Sequence, residues 1–200
     1  DGVEVTTFRT EGTYGDGRRP DEVRFGDDPA ADALRRDFTV NAMALRLPDV
    51  QFIDPFDGLL DLAVGRLRTP GLPTDSFSDD PLRMMRAARF ASQLAMTVDP
   101  QAVAAMADMA ERIDVVSAER IRDELVKLVL SPRPRTGLQL LVDTGLCERF
   151  LPELPALRLE IDEHHRHKDV YEHSLTVLDQ AIALEEDGPD LVLRLAALLH

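Results

Sequence analysis

Asp80, Arg83, Arg86 and Arg89 recur at intervals of three in "DDPLRMMRAARF". On a helix that spacing turns successive side chains by roughly 300°, and the four rise about 13.5 Å along the axis. An aspartate offers only acceptors and an arginine only donors, so Asp80 with Arg83 presents a mixed edge of the kind a nucleobase can match. Arg86 and Arg89, further along, suit the neutralisation of a polyphosphate. The plain alternative is a solvated face of i,i+3 ion pairs, each contributing roughly a few tenths of a kcal/mol.

A second knot of charge opens "RRDFTVNAMAL", where Arg35, Arg36 and Asp37 precede an apolar run. Arginines at the end of a short helix complement its dipole, which is one sufficient reason for them. The apolar run behind them would also hold the charges rigidly, as a binding site requires. All five histidines, His164, His165, His167, His173 and His200, fall in the last quarter of the chain. Imidazole is the commonest metal ligand and the side chain that titrates near neutral pH, although "HHRHK" also reads as a solvated surface run.

The elements that must position these groups fall into three zones. Residues 1–72 hold short β-type runs (Glu4 to Arg9, Glu22 to Phe25, Thr39 to Leu45, Val50 to Ile53) among Gly, Asp and Pro clusters, with one short helix near Pro29 to Arg36. Between the first two runs, the three glycines and the proline of "TEGTYGDGRRPDE" predict a mobile loop carrying Arg18 and Arg19. Asp54-Pro55 and Asp57-Gly58 in "DPFDGLLDL" are turn chemistry before a helix. From Ser78 onward the periodicity is helical throughout, with starts marked by Ser78 or Asp79, by Asp99 before Pro100, and by Ser117. The second zone is residues 73–156, and the third, 157–200, carries the histidines. The fold class expected is α+β: a small α/β part followed by an all-α part.

Composition excludes several classes. Of 200 residues 44% are hydrophobic and 30% charged, which suits a globular chain with a core. No apolar run approaches the ~20 residues that span a bilayer, so a cytoplasmic protein without membrane contact is expected. Cys147 is the single cysteine, which excludes an internal disulfide and predicts a buried structural thiol. A net charge of -14 argues against indiscriminate nucleic-acid binding. Yet Lys127 and Lys168 are the only lysines among 23 basic residues; the rest are arginine, which forks onto phosphates and base edges, though GC-biased coding yields the same ratio. The absence of an initial Met and the stop at His200 directly after an apolar helical run predict a piece of a longer polypeptide.

Five ordered motifs resemble the class II tRNA nucleotidyltransferase and bacterial poly(A) polymerase family, whose members include CCA-adding enzymes. "RRDFTVNAMA" is similar to the family's ribose-recognition motif and "DPFDGLLDL" to its head-to-neck connector. "DDPLRMMRAARF" resembles the nucleotide-templating helix and "SAERIRDELVKLVLSP" the neck motif that steadies it, while "VEVTTFRTEGTYGDGRRPDEVRF" resembles the strand, flexible loop and strand that precede them. The resemblance implies the C-terminal part of a nucleotidyltransferase α/β head, then a helical neck and body. It implies that Asp80 and Arg83 select C and A through Watson-Crick-like hydrogen bonds, that Arg86 and Arg89 add nucleotide contacts, that Arg36 meets the triphosphate and that Asp37 lies near the sugar. The partners implied are CTP, ATP and the tRNA 3′ end, and the cofactor is Mg2+. Asp79 departs from the family's usual glutamate, which leaves its role open. The family's phosphate-binding Gly-Gly turn and metal-holding Asp-x-Asp pair do not occur in the chain, so no catalytic residue is expected in it and it should be inactive alone.

"HRHKDVYEHSLTVLDQAIAL" with "LRLAALLH" resembles the opening of an HD phosphohydrolase domain, which would make His173 and His200 ligands of a divalent transition metal at an incomplete site. The short "EEDGPD" turn should set the two helices antiparallel and bring these histidines to one end. CCA addition is therefore the leading expectation. Poly(A) or A-only addition by the same fold is the close alternative; an HD hydrolase and a non-catalytic tRNA-binding scaffold belong to other classes.

Overall fold

The computed structural model describes residues 9–11, 23–25, 28–159 and 170–200. The first expected strand, apart from Arg9, the loop residues 12–22 with Arg18 and Arg19, and His164, His165 and His167 lie outside the described residues.

Among the described residues three two-stranded ladders occur. β1 (Arg9–Glu11) and β2 (Val23–Phe25) pair antiparallel, as do β3 (Ala44–Arg46) and β4 (Gln51–Ile53), with Ala44 opposite Ile53. Helix α1 (Pro29–Leu34) starts at Asp28, whose carboxylate accepts from Ala30 N, and ends at Arg35. The strand expected from Thr39 to Leu45 is shorter than its pattern: Thr39–Asn41 form a 3-10 turn, and the strand begins at Ala44. The reason is local competition for the backbone. Asp37 accepts from Phe38 N and from the Asn41 side chain, while Thr39 Oγ1 donates to Asp61, so these polar groups fold the segment before a ladder can form.

Helix α2 (Gly58–Val64) follows the expected turn. Asp54 accepts from the backbone N–H groups of Gly58 at 2.7 Å and Leu59 at 2.9 Å, and Asp57 takes the left-handed conformation with φ 58°. Gly58 permits close approach: a Cβ there would lie 2.2 Å from Thr39 O. Asp61, one turn on, is fully buried and receives Thr39 Oγ1, Arg66 and Arg68. Burial alone would raise its pKa, but these donors hold the carboxylate below its ordinary range.

Strands do not end with the first zone. β5 (Arg66–Leu67) pairs parallel with β6 (Thr97–Val98), lacing the two zones together. Two residues are too few for a period-2 pattern to register, and left-handed Ala95 (φ 54°) turns the chain into this strand. A further correction concerns the start of the arginine-bearing helix. Ser78 and Asp79 end a helix of their own, α3 (Pro73–Asp79), and Asp80 caps the next by accepting from Leu82 N.

That next helix, α4 (Leu82–Leu94), is the axis of the core: Met84, Met85, Ala87 and Ala88 are fully buried along it. Around it pack α6 (Ala118–Val129) and α7 (Pro134–Asp143), with α5 (Pro100–Asp108) opening at Asp99 as expected. Cys147 is buried here and its thiol is pushed up to about 12 by that burial and by Glu153 and Glu148, which fits the structural role expected. α8 (Glu153–Ala156) leads to α9 (Val170–Ala183) and α10 (Leu191–Leu198), which pack on each other, and α10 also meets α6. No helix of the described residues is long and apolar enough to cross a membrane.

Gly137 sets the closest approach of α7 to α4: a Cβ would fall 2.4 Å from Ser92 Oγ and 2.5 Å from Ala88 O. Gly137→Ala should therefore prise the two helices apart and lower stability by about 1–3 kcal/mol, read as a lower denaturant midpoint with unchanged slope.

Candidate functional site

The turn after α1 and the first three turns of α4 face each other across a cleft of about 470 Å³. Arg35, Arg36, Asp37 and Asn41 line one side, and Asp80, Leu82, Arg83, Arg86 and Phe90 the other, with Arg120 entering from α6. Five arginines stand against two aspartates, so the cleft is cationic in a chain of net charge -14. Low-dielectric walls strengthen that local field.

Asp37 joins the two sides. Its Oδ1 accepts from Phe38 N at 2.8 Å and Asn41 Nδ2 at 3.0 Å, and its Oδ2 accepts the Arg86 guanidinium, with Nε at 2.8 Å. Arg36 donates to Asp32 at 2.8 Å, while its side chain stays half exposed at the mouth. Arg83 reaches back to Ser76 Oγ at 2.9 Å and to the carbonyl of Arg35, so it too spans the cleft. Asp80 offers Oδ1 to Leu82 N at 3.1 Å and Oδ2 to Arg120 at 3.0 Å. It is not part of a continuous helical stripe, because it stands in extended backbone (φ -144°, ψ 99°) at the junction of α3 and α4.

Of the six residues expected from spacing and resemblance, five line the cleft: Arg36, Asp37, Asp80, Arg83 and Arg86. Arg89 is turned away from it. Each step of three residues falls about 60° short of a full turn, so by the third arginine the stripe has rotated toward α6. There Arg89 Nε donates to Glu124 at 2.6 Å, Nη1 donates to Gln93 at 2.7 Å, and the guanidinium lies 4.0 Å from the centre of the Phe90 ring. Only 8% of Arg89 and 4% of Glu124 is exposed. Burial raises the pKa of neighbouring Asp79 against the opposing pull of Arg83.

Sequence reasoning missed Asn41, Arg120 and Glu124 as parts of this site. Asn41 carried a usable signal, four residues beyond Asp37 on the same short turn. Arg120 and Glu124 lie inside the stretch that resembles the steadying neck motif, but their individual partners, 40 and 35 positions away, were not legible from local spacing.

His173 near the start of α9 and His200 just past α10 do come together, with ring centroids 5.4 Å apart. His200 Nδ1 sits 3.0 Å from Ala197 O. Among the described residues no three His, Cys, Asp or Glu side chains are placed to hold a metal ion.

Residues 1–68 match the family model described as the poly A polymerase head domain, and residues 95–157 match the one described as the probable RNA and SrmB-binding site of polymerase A. The CCA-adding enzyme of Levilactobacillus brevis is 45% identical over 161 residues, which make up 80% of this chain and 40% of that one. The crystal structure of the Bacillus stearothermophilus CCA-adding enzyme in complex with CTP is similar at a TM-score of 0.68 and 30% identity, covering 96% of this chain and 46% of that one. The Thermotoga maritima CCA-adding enzyme complexed with tRNA is similar at 0.66 and 25% identity, covering 86% and 41%. The chain spans less than half the length of each of these proteins.

Because the Arg89–Glu124 pair is buried, removing one partner strands a charge. Glu124→Leu should cost about 3–5 kcal/mol, whereas Glu124→Leu combined with Arg89→Met should recover most of that loss. Urea unfolding of both variants measures it, and equal losses in the single and double variants would contradict the pairing.

Proposed function

The chain belongs to the poly(A) polymerase family that includes the CCA-adding enzymes, and from that premise we propose that it supplies the nucleotide-selecting centre of a tRNA nucleotidyltransferase. The reaction proposed is addition of CCA to tRNA 3′ ends from CTP and ATP without a nucleic-acid template, in the cytoplasm. On this reading residues 1–72 belong to the head, 73–156 form the neck and body, and 157–200 begin an HD domain.

The observation that carries the reading is the convergence of Asp80 and Arg83 with Arg36 and Arg86 in one cationic cleft. C and A share a pattern on their pairing edges, an amino donor beside a ring-nitrogen acceptor, and U and G reverse it. A carboxylate acceptor beside a guanidinium donor matches the first pattern and opposes the second. Arg36 and Arg86 then meet the triphosphate, and Asp37, fixed by its own turn, stands where the sugar would lie. Arg89 acts behind the cleft by holding α4 against Glu124.

The family's nucleotidyl transfer uses divalent metal. The described residues offer no carboxylate cluster that fits such an ion, so Mg2+ binding and the chemical step are assigned to groups outside them. On this reading the described residues bind and select, and the metal centre lies outside them.

A second reading concerns the other end of the chain. The closeness of His173 and His200 favours a divalent transition metal held there with at least one further ligand, as in an HD phosphohydrolase. A-only or poly(A) addition remains the alternative within the first class, and it differs in which nucleotides are incorporated.

Incubating the full-length gene product with tRNA lacking its 3′ end and CTP, ATP or both tests the activity: CCA addition requires both nucleotides, and growth with ATP alone would point to A addition. Asp80→Ala and Arg83→Ala should each weaken rejection of UTP and GTP by roughly tenfold or more, since the surviving partner is left unpaired, at about 1–3 kcal/mol. Unchanged discrimination in both variants would sink the base-reading assignment. For the second reading, His173→Ala should lower the metal content of the full-length protein, and equal content in the two proteins would leave the HD site without support.

A further inference from the structure

We infer that Arg120, on a helix outside the arginine stripe, is a positioning residue for base selection: it clamps the Asp80 carboxylate and thereby fixes the acceptor that an incoming amino group meets. This rests on the base-reading role proposed for Asp80.

Three observations lead to it. Asp80 lies between α3 and α4 in extended backbone, where no helical turn restricts its side chain. Its orientation must come from its own hydrogen bonds, and there is one on each oxygen: Oδ1 from Leu82 N and Oδ2 from Arg120 Nη2. A carboxylate has about four lone-pair positions, so these two bonds define its plane and leave the remaining positions for a ligand in the cleft that both residues line. Finally, Arg120 occupies the first turn of α6, whose second turn is fastened to α4 by the buried Glu124–Arg89 pair. The clamp is therefore mounted on a frame fixed to the helix it serves.

The magnitudes separate positioning from stability. Arg120 and Asp80 side chains are 44% and 30% exposed, and ion pairs so hydrated typically contribute about 0–1 kcal/mol to folding. Orientation is another matter. A carboxylate free to rotate can turn away from the carbonyl oxygen that uracil or guanine presents, and the opposition that rejects those bases is relieved. Arg120 thus acts through Asp80 on the difference between nucleotides, and leaves the triphosphate contacts of Arg36 and Arg86 in place.

The test uses the full-length gene product and compares kcat/KM for CTP, ATP, UTP and GTP in Arg120→Gln, Arg120→Lys and each combined with Asp80→Asn, alongside thermal midpoints. Arg120→Gln should lower the preference for CTP and ATP over UTP and GTP by about tenfold with little change in midpoint. Arg120→Lys, which keeps a donor without the fork, should recover part of it. In the Asp80→Asn background Arg120→Gln should add nothing. Unchanged discrimination in Arg120→Gln, while Asp80→Ala loses it, overturns the clamp and leaves base reading standing. An equal loss for all four nucleotides identifies a phosphate contact and also overturns it, as does a full additive effect beside Asp80→Asn. If Asp80→Ala discriminates like the unaltered protein, the base-reading premise fails and the clamp with it.

Discussion

The cleft exists because one carboxylate serves two parts of the chain. Asp37 uses Oδ1 to close its own turn onto Phe38 N and Asn41, and Oδ2 to receive Arg86 from α4. Charge-assisted bonds of this kind are shorter and stronger than neutral ones, and this one is largely shielded on the aspartate side. Without it the Arg35–Ala42 segment is left with the Arg83 bond to the Arg35 carbonyl as its polar tie to α4 among those described. The apolar residues on either side make the tie rigid: Phe38 is fully buried and meets Phe90 edge-on with centroids 5.8 Å apart. Sequence, turn, packing and site are one chain of cause here.

Packing several arginines into one cleft would be self-defeating unless their charges were answered from behind. The structure answers them unequally. Arg89 is given a buried glutamate, Arg86 shares Asp37 and lies 3.9 Å from that same glutamate, and Arg36 has Asp32 while remaining half exposed. The pairs differ chiefly in hydration: the Arg89 side chain is 10% exposed, that of Arg86 33% and that of Arg36 50%, so the cation at the mouth is the most accessible. A polyanion meets the most accessible cations first, while the most buried one has become part of the scaffold. The overall negative charge of the molecule disfavours indiscriminate anion binding and sets this cationic cleft apart among the described residues.

What could be read from the sequence follows from how local each feature is. Turn chemistry at Asp54 to Gly58 and the helix start at Asp99 were legible because their hydrogen bonds close within five residues. The convergence of His173 and His200 was legible for a different reason: a short connection between two helices leaves one arrangement for their ends. The strand expected at Thr39 failed because β-branched and apolar residues alternate there, while the deciding bonds come from Asp37 and from Asp61, 22 positions away. That Arg89 pairs with Glu124 outside the cleft lining was not legible, because spacing gives a helical stripe but not where the cleft ends and the neighbouring helix begins. β6, too short to have a period, was invisible for want of information.

The two ends of α6 extend the same logic to the last part of the chain. At its C-terminus, the buried guanidinium of Arg194 donates to the carbonyls of Val129 and Ser131 at 2.7 and 2.8 Å, capping groups that the helix leaves unsatisfied. Glu185 neutralises that guanidinium at 2.6 Å and is held down to about 2 by the pairing and by the N–H of Asp190. α10, which precedes His200, is thereby fixed to the helix that carries Glu124 in its middle and Arg120 at its start. A displacement of α10 along α6 would have to break a buried charged cap, which is costly compared with sliding apolar side chains. The histidine pair and the base-reading carboxylate are therefore mounted on one rigid strut, and any motion that opens the cleft must either carry α9 and α10 with α6 or occur on the other side, between α4 and the Asp37 turn, where the Arg86–Asp37 ion pair and the Arg83 bond to the Arg35 carbonyl would have to give.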